Sequence, residues 1–208
     1  MFDTRTLLMF FTTSVLLALS PGPDNLFVMT QAARQGRKAG LLVTLGLCTG
    51  LLFHTAAVTF GLAALFKAST LAFTVLKFAG AAYLLYLAGI SFRAGTASGT
   101  EATAVNIDAT ALYRRGIFMN ITNPKVSIFF LAFLPQFTDP AKGMMSAQLL
   151  LLGGVFIIAA LLVFVVISLL AGVFGEHFRN SAFARKVLNR ASAGIFAGLA
   201  LKLALAQR

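Results

Sequence analysis

Three side chains that carry charge or exchange protons lie inside long apolar runs of this sequence: Asp24, His54 and Lys125. Holding a charge near the centre of a bilayer costs at least about 2.5–3.5 kcal/mol on insertion scales, so such groups face a partner or a wet cavity. Two of the three sit beside prolines. Asp24 belongs to Ser20-Pro21-Gly22-Pro23-Asp24-Asn25, and Lys125 to Asn123-Pro124-Lys125. Proline donates no N–H, so Pro21, Pro23 and Pro124 strip the helical donor from the carbonyls of Leu17, Leu19 and Asn120. A bare carbonyl cannot face lipid, and both breaks must line protein or water. A helix restarting at Pro23 offers first-turn amides and a positive dipole end that suit a carboxylate. Asp24 suits an ammonium group or a proton, and Lys125 suits a carboxylate or a resting partnership with Asp24. A zwitterion with both charges a few ångströms apart finds both complements here.

Each residue also has a purely structural reading. Asp24 can cap the restarted helix, or pair with Lys125 for stability alone. His54 either hydrogen-bonds a neighbouring backbone or carries protons. Asn25, Asn120 and Asn123 either satisfy freed backbone groups or touch a ligand. Gly46 and Gly50 form a GxxxG spacing typical of close helix packing. Tyr83 and Tyr86 share a helix face and either line a path or fill the core. Lys77 and Lys202 lie within reach of an interface and can snorkel. Cys48 is the single cysteine, which excludes an intramolecular disulfide and a CxxC redox site.

The elements that position these residues follow from composition. The chain of 208 residues is 59% hydrophobic and 11% charged, far from the roughly 25% charged residues of soluble domains. Six apolar runs approach or exceed the roughly 20 residues that cross a bilayer: Thr6–Gln31, Ala39–Phe66, Thr70–Phe92, Gly116–Phe137, Ser146–Gly175 and Val187–Leu205. The N-terminal run lacks a small-x-small cleavage site and reads as a retained helix. The net charge of +11 is concentrated between runs, which reads as membrane topology rather than nucleic-acid binding. Arg34, Arg37, Lys38, Arg93, Arg114, Arg115, Arg179, Arg185, Lys186 and Arg190 fall on one side, against Arg5, Lys67, Lys142 and Arg208 on the other. The cation-rich side is cytoplasmic, so both termini are expected in the periplasm of a bacterial inner membrane.

The polar stretch 94–113 reads as a cytoplasmic linker between residues 1–93 and 114–208, two three-helix repeats of a single transmembrane domain. Pro23 aligns with Pro124 and Asp24 with Lys125. Gly46 and Gly50 echo Gly153 and Gly154, and Ala79-Gly80-Ala81-Ala82 echoes Ala191-Ser192-Ala193-Gly194. Three crossings are an odd number, so the second repeat must be inverted. The expected fold is therefore an all-α integral membrane protein of six transmembrane helices, with helices 1 and 4 broken at prolines. That combination points to a secondary transporter with its site between the repeats. Gly and Ala faces on helices 2 and 6 leave room for a homodimer or for packing within one chain.

Ser20-Pro-Gly-Pro-Asp-Asn-Leu-Phe-Val, Gln35-Gly-Arg-Lys-Ala-Gly-Leu, Val75-Leu-Lys-Phe-Ala-Gly-Ala-Ala-Tyr-Leu-Leu-Tyr-Leu, Asn123-Pro-Lys and Phe130-Leu-Ala-Phe-Leu-Pro-Gln-Phe together resemble the LysE/RhtB family of amino-acid exporters. The resemblance spans nearly the whole chain. It implies an exporter driven by the proton gradient or membrane potential. The implied cargoes are neutral amino acids such as threonine and homoserine, cysteine-pathway metabolites or basic amino acids. Carried over by motif, Pro21, Gly22, Pro23, Asp24, Asn25, Asn123, Pro124 and Lys125 form the substrate and coupling region. A hard-cation exporter wants several intramembrane carboxylates, whereas Asp24 stands alone. A thiol–disulfide carrier needs two cysteines. No nucleophile motif, resident-metal cluster or cofactor motif argues for an enzyme, and the alternatives from another class are a metal-ion transporter or a passive channel, since broken helices occur there too.

Overall fold

The computed structural model describes residues 2–68, 70–93, 108–180 and 182–205. Most of the stretch read as a linker (94–107, with Glu101) and Arg208 lie outside the described residues. Asp3 opens the first helix, its carboxylate accepting from the Thr6 amide at 2.6 Å, and α1 covers Thr4–Leu19. It ends where donors run out. The Ser20 amide folds back onto the carbonyls of Leu16 and Leu17 at 3.1 and 3.2 Å, and Pro21 has nothing to add. The chain passes through an extended Gly22 and restarts as α2, Pro23–Gln35, with proline in its first turn, where the missing N–H does no harm. The axes of α1 and α2 differ by 61°. Gly36, at φ 84°, supplies the left-handed residue that turns the chain into α3.

Helices α3 (Arg37–Ala68) and α4 (Thr70–Arg93) come next. The second break repeats the first. Helix α5 covers Ala109–Ile121 and α6 covers Pro124–Ile128, with a bend of 48° between α5 and the segment Pro124–Phe137. Helix α5 starts at Ala109 rather than Gly116, so Ala109–Tyr113 are helical. After α6 the backbone widens into a π-helical turn, Phe129–Phe133, then tightens into a 3₁₀ turn over Leu134–Phe137. Pro135 cannot donate to the preceding turn, and a widened turn just before it accommodates that loss. Helices α7 (Met145–Asn180) and α8 (Ala182–Leu205) complete the described chain. The loop entering α7 is clamped by Gln148. Its amide accepts from the Asp139 N–H at 2.9 Å and donates to the carbonyls of Asp139 and Gly143 at 2.8 and 3.2 Å.

Among the described residues, α3 through Gly61 and α7 through Ala171 are long and apolar enough to cross a membrane. Counting each bent pair as one span brings the number to four. The described elements are all helical, as expected.

Contacts between the first three helices and the last three obey an exchange rule. Helices α1 and α2 pack on α7, and α3 packs on α5; α1 meets α8, and α4 meets the π-helical turn; α3–α7, α4–α8 and α2–α5 are in contact as well. Swapping first for fourth, second for fifth and third for sixth maps these pairs onto themselves, with each proline-broken pair counted as one.

In lipid there is little hydrophobic drive between helices, so close packing holds them. Gly46 is pressed so tightly on α5 that a Cβ there would collide with the Tyr113 carbonyl oxygen, and a Cβ on Gly50 would lie 2.7 Å from Asn120. The GxxxG face of α3 is therefore filled within the chain and is not free for a homodimer. Gly194 and Gly198 of α8 face open space. The core beside the second break is aromatic: Phe129 stacks at 4.9–6.3 Å with Phe10, Phe130, Phe133 and Phe156.

These packing differences give a direct expectation. Overpacking by Gly46→Leu should lower stability by about 1–3 kcal/mol, whereas Gly194→Ala should raise it by up to about 1 kcal/mol through helix propensity alone. Thermal unfolding of the two variants in detergent measures both.

Candidate functional site

The two breaks meet, and each supplies donors to the other. Lys125, the second residue of α6, is buried and its Nζ donates to the Ser20 carbonyl at 3.0 Å. Gly22 permits that approach, since even a Cβ there would stand 3.0 Å from Nζ. In the reverse direction, His54 of α3 donates from Nε2 to the Asn120 carbonyl at 3.1 Å. That carbonyl is the one Pro124 deprives of its helical partner, and the Asn123 N–H also reaches it at 3.0 Å. His54 is thus engaged with backbone, its ring tilted against Phe130 at 5.6 Å between centroids.

The asparagines divide the remaining work. Asn25 donates to the Ala18 carbonyl at 2.6 Å, closing the end of α1. Asn123 caps α6, its Oδ1 accepting from the Lys125 N–H at 3.0 Å. Asn120 donates to Asp24 Oδ2 at 3.4 Å. Asp24 is 2% exposed, and its other oxygen, Oδ1, has no hydrogen-bond partner. No ion pair joins Asp24 to Lys125; among the described residues the ion pair within 4.0 Å is Lys142–Asp139, on the surface. A resting Asp24–Lys125 contact pair is therefore replaced by a carboxylate held by Asn120 and an ammonium held by a backbone carbonyl.

Unsatisfied polarity gathers at this place. Six buried side-chain atoms among the described residues lack a partner, and all except Thr59 Oγ1 sit at the breaks: Ser20 Oγ, Asp24 Oδ1, Asn25 Oδ1, Asn120 Oδ1 and Asn123 Nδ2. Native interiors leave few such groups, and a cluster of them is served by water or by a ligand. A small cavity opens on the cluster. Asp24, Asn120 and Lys125 are its polar lining, and Leu17, Leu51 and Phe156 are among its apolar lining. It has room for water rather than for an amino acid.

The eight residues carried over by motif, together with His54, lie at or against the breaks, Pro21, Gly22, Pro23 and Pro124 shaping the backbone itself. Asn120, which by sequence alone could equally serve only the backbone, is the direct partner of Asp24. Its signal is the four-residue spacing to Pro124. The apolar walls carry no signal, because Leu51 and Phe156 look like any other residue of their runs. Tyr83 and Tyr86 stack on each other at 5.9 Å, but Tyr86 is 60% exposed on the outer face. They neither line the cavity nor fill the core. Lys202 lies 4.1 Å above the Phe137 ring, away from the breaks.

Removing one backbone partner should be costly. Asn25→Ala leaves the Ala18 carbonyl buried without its donor, and about 1–3 kcal/mol of stability should be lost, as read by denaturant unfolding in micelles.

Known proteins place the chain. The protein-family model described as LysE type translocator matches residues 15–207. The homoserine/homoserine lactone efflux protein of Salmonella typhimurium (strain LT2) is 37% identical over 184 residues, 88% of each chain. The leucine efflux protein of the same strain is 30% identical over 199 residues, 93% of this chain and 92% of its own. The membrane protein YrhP of Bacillus subtilis (strain 168) is 30% identical over 210 residues, covering 97% of this chain and 99% of its own. No solved structure matches. On the span of that family match and the relatives that share nearly its full length, the chain belongs to the LysE type translocator family.

Proposed function

We propose that this protein exports small neutral amino acids across the bacterial inner membrane by alternating access, acting as a transporter and not as an enzyme. One observation carries the reading: a buried carboxylate with a free oxygen and a buried ammonium line the same cavity without pairing with each other. That is the complement of a zwitterion. The ammonium of the substrate meets Asp24 Oδ1, and its carboxylate meets Lys125, which gives up the Ser20 carbonyl as it turns. The names of the Salmonella relatives, which speak of homoserine and leucine efflux, support a neutral amino-acid cargo. A single carboxylate at the site supports it too, because a dicationic substrate would bring a second positive charge without a partner.

In this reading α1 with α2, α3 and α4 form one three-helix repeat, and α5 with α6, α7 and α8 form its inverted copy. The exchange rule obeyed by the contacts between them supports that symmetry. The halves part on the cytoplasmic side, take up the amino acid between the two breaks, and rock to release it to the periplasm, where both termini lie. Proton antiport returns the carrier, with Asp24 or His54 taking a proton from outside. One inward proton exchanged for a neutral zwitterion gains about 2.3 kcal/mol per 100 mV of membrane potential. The open glycine face of α8 is the surface on which two copies would pair.

Efflux from proteoliposomes loaded with labelled amino acids, with and without an inward proton gradient, tests this. Wild type should show saturable, gradient-stimulated efflux of a few neutral amino acids. Asp24→Asn and Lys125→Ala should reduce it at least tenfold while the protein stays folded. Gradient-stimulated efflux at wild-type rates in Asp24→Asn would remove Asp24 from the coupling step, and an absence of all amino-acid efflux would leave the channel and metal-ion readings.

A further inference from the structure

The cavity is lined by two kinds of residue, and only the polar ones are spoken for by the substrate's charges. Lining it together with Asp24, Asn120 and Lys125 are Phe156, Ala160 and Phe164 of α7. These are spaced by four residues and so form a single stripe on that helix. All three are buried, at 3%, 1% and 4% exposure. Leu17, Ala18, Leu51 and Val126 complete the lining, and apart from Asp24, Asn120 and Lys125 none of these residues carries a hydroxyl, amide or charge.

We propose that this stripe receives the substrate's side chain and selects aliphatic side chains over hydroxylated ones, with Ala160 setting the length accepted. The proposal rests on the amino-acid export reading above and narrows its cargo. The cavity holds only water-sized volume in this state; once the halves part and it widens, a substrate with its two charges at the breaks has the α7 stripe within reach of its side chain. Ala160 is the one small residue between two phenyl rings, so it forms a notch. Its upper edge does not yield: the Phe156 ring is wedged between Phe129 and Phe130, at 5.1 Å from each. A methyl or isobutyl group entering the notch loses only water. A hydroxyl entering it gives up its hydrogen bonds to water and finds no replacement.

The test is competition for export in proteoliposomes, using labelled alanine, valine, leucine and homoserine with wild type and two variants. Wild type should show a KM for valine or leucine roughly tenfold or more below that for homoserine, within the range that one pocket group can discriminate. Ala160→Leu fills the notch, and should raise the KM for leucine about tenfold relative to alanine while alanine export persists, which also shows that the variant folds. Ala160→Ser, a smaller change, should narrow the gap between homoserine and valine. Equal KM shifts for all four substrates in both variants, or a wild-type preference for homoserine, would overturn the assignment of the stripe while leaving amino-acid export standing. Failure of wild type to move any of the four overturns the export reading and this assignment with it.

Discussion

A carbonyl group inside a bilayer has no water to turn to, and that one shortage organises this protein. Prolines at positions 21, 23 and 124 create the shortage by interrupting two helices within apolar runs. Donors must then come from elsewhere in the fold. Ser20 N–H bends back to serve Leu16 and Leu17, Asn25 serves Ala18, Lys125 serves Ser20, and His54 with the Asn123 amide serves Asn120. Two of these donors come from the other half of the chain. The breaks therefore hold the halves together at the very place where unpartnered polar groups gather.

The same shortage explains why the site is polar beyond what the breaks need. Amide side chains bring both a donor and an acceptor, and at Asn25, Asn120 and Asn123 one end is used by the protein while the other lies unpartnered. Asp24 behaves alike, with one oxygen engaged and one free. Each of these four side chains keeps one atom in the scaffold and leaves one without a partner. The aromatic packing around Phe129 and the clamp of Gln148 on the loop at Asp139 keep that scaffold in register.

Much of this is legible in the sequence because it depends on local chemistry. A proline followed by an ionisable residue in an apolar run announces a break and a buried charge, and the structure has both breaks where Pro21, Pro23 and Pro124 stand. The start of α5 escapes the apolar pattern because Thr110, Tyr113, Arg114 and Arg115 lower the content that marks a membrane helix, although nothing in them forbids one. Lys125 bonding to backbone instead of to Asp24 is beyond sequence reasoning as well. Charge signs favour the ion pair, and only the three-dimensional position of the Ser20 carbonyl decides against it. The α7 stripe is silent for a simpler reason: an apolar residue in an apolar run offers no contrast, whichever way it faces.

The donors exchanged between halves also bear on how the protein is made. The ribosome delivers Ser20 to the membrane 105 residues before Lys125 exists, so during synthesis the first break holds a carbonyl whose eventual partner has not been translated. Until then that group must be kept wet by the insertion machinery or by a lipid headgroup. The first break therefore reaches its final hydrogen bonding only after α6 has been made, and the first half of the chain is completed by a residue of the second.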